Sequence, residues 1–152
     1  MEIKYQLFEA ENLLVQKYSG QFSMEEFAAY ARFSGMNFAS KPIKKVLLDF
    51  RDLHMGNYED FNETLDKVIK VREQVNENEF KNRAVTFVIW VEKPMPTAVA
   101  HLFTANFSGK NYHYALTVDS IVDILKLPQH LRNVEKIVEN AENTFYADNT
   151  KI

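Results

Sequence analysis

Val46-Leu47-Leu48-Asp49-Phe50-Arg51-Asp52, continued by Leu53-His54-Met55-Gly56-Asn57, decides the fold. Val46 to Phe50 is mostly apolar without clean alternation, the pattern of a strand covered on both faces in a parallel sheet. The strand runs into a charged loop. Asn57 then caps a helix, with Glu59 and Asp60 in its first turn, where the helix dipole favours anions. This order sets two acids, an arginine and a histidine at the carboxyl end of a strand, where open α/β sheets keep their binding crevices.

Upstream, Ile3, Tyr5 and Leu7 alternate with Lys4, Gln6 and Phe8, which is strand periodicity. Glu9-Ala10-Glu11-Asn12 interrupts as a turn, and Leu13 to Tyr18 resumes an extended pattern that Ser19-Gly20 closes. Two such runs around a short polar turn predict an antiparallel hairpin. Ser23 caps the next helix, Glu26 completes a capping box, and Phe22 and Phe27 hold the positions of a hydrophobic staple. That helix passes Tyr30 and Ala31 and is expected to fail near Gly35.

Downstream, Tyr58, Phe61, Leu65, Val68, Ile69 and Val75 follow helical spacing, and Asn76 to Glu79 reads as the frayed end. Ala84 to Val91 is a second central strand, broken by Pro94-Met95-Pro96, where proline suits the first turn of a helix. Val99, Leu102, Phe103 and Phe107 give that helix its apolar face, and Gly109 ends it. Tyr112 to Val118 is the last strand. Asp119 or Ser120 opens a short helix through Leu127, which Pro128 stops. Leu131, Val134, Ile137, Val138, Ala141 and Phe145 predict a C-terminal amphipathic helix, and Ala147 to Ile152 a disordered polar tail. Strands separated by helices form right-handed parallel crossovers. The expected fold is a single α/β domain over residues 1–146. Its mixed sheet has an N-terminal antiparallel hairpin and three parallel strands, flanked by helices.

Composition narrows the chemistry. At 152 residues the chain suits one ordinary domain. A net charge of -3 argues against nucleic acid, which needs a concentrated basic surface. With no cysteine, disulfides, thiol catalysis and Cys-type zinc sites are excluded. The first residues lack a signal-peptide pattern, and no apolar run approaches the ~20 residues needed to cross a bilayer. A cytoplasmic protein is the default. The four glycines, Gly20, Gly35, Gly56 and Gly109, stand alone, so no phosphate loop, dinucleotide fingerprint or nucleophile elbow can be built. The four histidines form no i, i+2 or i, i+4 pair. No metal site, cofactor or catalytic residue is expected.

The segments Glu11-Asn12-Leu13-Leu14-Val15, Ser19-Gly20-Gln21-Phe22-Ser23 and Lys44-Lys45-Val46-Leu47-Leu48-Asp49-Phe50-Arg51-Asp52 together resemble the SpoIIAA-like group of STAS-fold proteins. The later strand, helix and strand occur in the matching order, so the resemblance covers most of residues 1–127. It implies a four- or five-stranded sheet flanked by helices, used for binding and switching, as in bacterial anti-sigma-factor antagonists. There a partner kinase phosphorylates a serine at the start of the helix after the central strand. Here that place is Gly56-Asn57-Tyr58, with no serine or threonine, so the resemblance does not extend to a kinase-operated switch. Relatives of the CRAL-TRIO type hold lipids.

The candidate binding rim is Asp49, Arg51, Asp52 and His54, joined by Glu92, Lys93 and Asp119 after the other two parallel strands. It could bind a small anion, a metal or a partner loop. The structural alternative is that Asp49 and Arg51, two apart on one strand face, pair with each other because a partly buried charge needs a partner. Phe27, Tyr30, Phe33 and Phe38, with Phe22, are core residues, a partner surface or the wall of a lipid pocket. The expected role is a non-enzymatic protein-interaction or regulatory module with an unknown protein partner, or a homo-oligomer. The alternatives are a carrier of a small apolar ligand and, last, a metal-dependent enzyme using Asp49, Asp52 and His54.

Overall fold

The computed structural model describes residues 1–55, 63, 66–67, 69–70, 84–94, 96–98, 100–101 and 111–147. The regular elements are β1 (Glu2–Phe8), β2 (Leu13–Gln21), α1 (Met24–Phe38), β3 (Lys45–His54), β4 (Thr86–Trp90), β5 (Tyr112–Ala115), α2 (Val118–Leu125), α3 (Val134–Glu139) and β6 (Asn143–Phe145). Further helical residues occur at 63, 66–67 and 69–70 and at 94, 96–98 and 100–101. The expected helix cap Asn57, the frayed end Asn76 to Glu79, Phe103, Phe107, Gly109 and the tail beyond Ala147 lie outside the described residues.

Among the described residues the sheet has six strands, in the order β5-β4-β3-β2-β1-β6. β1 and β2 form the expected hairpin, from Glu2↔Ser19 to Phe8↔Leu13. Asn12 turns the chain with φ 55, a left-handed conformation that asparagine tolerates. The mixed α/β architecture matches the expectation, with more parallel structure than foreseen. β2 itself pairs in parallel with β3, so β2, β3, β4 and β5 form one parallel run. The hairpin is thus one end of the parallel sheet.

Helices cover both faces. On one face α1 buries Phe27, Ala29, Tyr30 and Phe38 against Leu14, Tyr18, Val46, Leu48, Phe87 and Ile89. On the other, Ile121 and Leu125 of α2 and Val134 and Val138 of α3 pack on Leu13, Val15, Leu47, Val88 and Trp90. Alternate residues of β3 enter opposite clusters, as strand pleating requires.

Several boundaries differ from expectation for local reasons. Ser23 Oγ accepts the Glu26 N–H at 3.3 Å, and the staple rings Phe22 and Phe27 lie 5.9 Å apart. The box is only half closed, because the Glu26 carboxylate turns to the Met1 amino nitrogen at 2.8 Å. α1 runs past Gly35 to Phe38, whose buried ring anchors the last turn. β5 stops at Ala115. Thr117, rather than Asp119 or Ser120, caps α2 by accepting the Ser120 N–H at 3.2 Å. α2 ends at Leu125, where Lys126 turns left-handed.

The largest correction is at the C-terminus. The apolar series from Leu131 to Phe145 is not one helix. α3 spans only Val134–Glu139, and β6 follows, pairing antiparallel with β1 through Ile3↔Phe145 and Tyr5↔Asn143. The outer edge of β1 offers unpaired backbone groups, and adding a strand satisfies them better than prolonging a six-residue helix would. Ala147, expected in the tail, is half-buried and packs against the α1-side core.

Candidate functional site

β3 continues to His54, so Arg51, Asp52 and His54 belong to a strand and not to the expected loop. The strand is irregular within this stretch. Lys17 of β2 pairs with Asp49, but Ser19 pairs with Asp52. Phe50 and Arg51 therefore share the place opposite Tyr18, a β-bulge. Phe50 keeps to the α1 face, where its ring meets that of Tyr18 edge-on at 5.0 Å. Arg51 and Asp52 then both serve the α3 face, and Leu53 returns to the α1-side core.

Asp49 is completely buried and Arg51 partly buried, with 14% of its side chain exposed. The Arg51 backbone N–H and Nε both donate to Asp49 Oδ1 at 3.0 Å, and Nη2 donates to Oδ2 at 2.9 Å. One carboxylate thus caps a backbone group at the bulge and grips a guanidinium in a two-pronged pair, the strong geometry for such a contact. The guanidinium carbon also lies 3.4 Å from the centroid of the Trp90 ring. Burial is the largest influence on the Arg51 pKa and lowers it. The Asp49 hydrogen bond and charge, then the charges of Glu92 and Glu135, outweigh it and hold the pKa above the ordinary value. Mutual pairing, the structural alternative, describes Asp49 and Arg51.

A second cluster sits beside the first. Lys17 Nζ donates to Glu139 Oε1 at 2.7 Å and lies 3.1 Å from Asp52 Oδ2. Arg51 Nη1 reaches Glu135 Oε1 at 3.7 Å. Glu135 and Glu139 are one helical turn apart on α3, so both can reach down to the sheet. Burial draws the Lys17 pKa down, but hydrogen bonds to Glu139 and Asp52, with their charges, carry it above the ordinary value. Lys17, Trp90, Glu135 and Glu139 were not among the expected site residues. The i, i+4 spacing of the two glutamates was the one visible signal.

The remaining rim residues are solvent-exposed and set apart. Glu92, Lys93 and Asp119 stand beyond the ends of β4 and β5, which pair through Trp90↔Ala115 and the Val91 N–H to Ala115 carbonyl bond of 3.1 Å. Glu92 acts on Arg51 through its charge. His54 projects further along β3, paired with Gln21 of β2, while the β3–β4 ladder ends at Asp49↔Trp90. The edge is therefore stepped, and His54 lies off the line of Glu92 and Lys93. Leu116, missed in the sequence, is 53% exposed between β5 and α2.

The aromatic set on α1 is core. Tyr30 lies 5.3 Å from Phe145 and 5.9 Å from Tyr18, and Phe33 meets Tyr5 at 5.6 Å and Phe145 at 5.0 Å. Among the described residues, no group of three or more histidines or acids is placed to hold a metal ion. Among them too, no helix is long and apolar enough to cross a membrane.

Fold and site together define a mixed α/β protein whose central strand carries buttressing ion pairs just inside an exposed, stepped edge. No family model matches the chain, and no curated protein sequence does. Among solved structures it is similar to the anti-sigma factor antagonist SpoIIAA in its unphosphorylated form, at 12% identity, over 84% of this chain and 99% of that one, with a TM-score of 0.46. Gly56-Asn57-Tyr58 lies outside the described residues.

Proposed function

We propose that the chain is a protein-interaction or regulatory module, non-enzymatic, whose partner surface is the carboxyl edge of β4 and β5. The observation that carries this reading is Leu116, a large apolar side chain 53% exposed within a border of exposed Glu92, Lys93 and Asp119. An apolar centre with a polar rim is the usual build of a protein-binding patch. Asp49 supports the non-enzymatic part, because it is fully buried and hydrogen-bonded to Arg51. The ring contacts around α1 favour core over a ligand wall, so nothing there favours the apolar-ligand carrier.

Affinity capture from cells tests the proposal, comparing wild type with Leu116→Asp and Lys93→Glu. Met36→Asp, at an exposed site on α1, is the control. A protein retained by wild type and the control, and lost with both edge variants, is the expected result. Equal recovery with all four chains, or recovery of nothing with a strictly monomeric mass by light scattering, overturns it.

A further inference from the structure

Residues 133–147 leave one face of the sheet, round its edge and finish against the other face. α3 buries Val134 and Val138 in the α2-side core. β6 joins β1 at the edge, and Phe145 places its ring against Tyr30 and Phe33 on the α1 side. The segment consists of a six-residue helix and a three-residue strand. Neither length persists alone in water, so tertiary contacts hold both.

The polar contacts have an unusual property. Glu139 grips Lys17, and Glu135 reaches Arg51. Each of those cations already has a carboxylate from β3: Asp52 for Lys17 and Asp49 for Arg51. When α3 lifts, neither cation is left bare, so the large penalty for an unpaired buried charge does not arise. The two glutamates are themselves 64% and 60% exposed, and ready to pair with solvent ions. β3 thus keeps its charge balance with the helix on or off.

We propose that residues 133–147 are a releasable strap, clasped by Glu135 and Glu139, whose opening bares the outer edge of β1. The clasp yields to competing salt cations, because both glutamates are largely exposed. The bared stretch is Ile3, Lys4 and Tyr5, the part of β1 that β6 covers, whose outward backbone groups then face solvent.

Hydrogen exchange read by mass spectrometry on the full chain tests this. Wild type is compared at low and high salt with a Glu135→Gln/Glu139→Gln double variant and with Phe145→Ala, which loosens the far end of the strap. The expected result is exchange on the order of three- to tenfold faster in residues 133–147 and in β1, the yield of two exposed ion pairs, with β3 and β4 unchanged. High salt should reproduce the double variant, and the Phe145 variant should also speed exchange in α3. Unchanged exchange in the strap under all conditions overturns the proposal, as does acceleration spread evenly over β3, β4 and the strap.

Discussion

The guanidinium of Arg51 is held between the Trp90 ring, 3.4 Å from its centroid, and the Asp49 carboxylate, 2.9 Å from Nη2. Removing one member leaves the other charged group buried without its partner. Asp49→Asn should therefore lower stability by about 3–5 kcal/mol in urea denaturation. Replacing both charges together, as in Asp49→Leu with Arg51→Met, should recover most of that loss, since a packed apolar pair of similar volume often matches a buried ion pair. A double variant as unstable as Asp49→Asn would show that the bulge itself needs the carboxylate.

Lys17 gives a pH prediction. Its folded-state pKa is raised, so its contribution is complete below the ordinary lysine value of 10.5 and fades as pH climbs through the higher folded value. The stability difference between wild type and Lys17→Met should stay constant from neutral pH to about 10.5 and shrink only above it. Denaturation series at several alkaline pH values check this. A difference that already declines below 10.5 contradicts the upward shift.

Gly20 has φ +87 within β2. A Cβ there would meet Met1 Cα at 3.7 Å, an ordinary contact, so space does not forbid alanine. The cost comes from the backbone alone, about 1–2 kcal/mol for a left-handed non-glycine residue. Gly20→Ala should lower the melting temperature by roughly 2–8 °C in calorimetry, with Gly20→Asn losing less.

Ser23→Ala should cost about 1 kcal/mol by freeing the Glu26 N–H, and Ser23→Asp should restore it. Circular dichroism during thermal melting measures both.

How much of this was legible depended on how local the cause was. The start of α1 was readable because Ser23, Phe22 and Phe27 lie within six residues and act on one another directly. The Asp49–Arg51 pairing was readable because residues two apart on a strand share a face. The second half of the site was not, since Lys17 and Glu139 are 122 positions apart and meet only once the sheet exists. β6 was misread because Val134, Val138 and Phe145 keep helical spacing across Asn140, although Phe145 belongs to the opposite face. The parallel β2–β3 pairing left no mark, since a strand in a hairpin carries no signal for its second neighbour.

The bulge opposite Tyr18 has an evolutionary corollary. Losing or gaining one residue inside a central strand normally turns every later side chain to the wrong layer. Here β3 already carries a surplus residue, and Leu53 regains its proper layer because of it. A relative that lacks the surplus would show a single-position gap in mid-strand. It would also have to do without either the Arg51 or the Asp52 counterpart, so only the extra residue lets β3 serve both charge clusters at once.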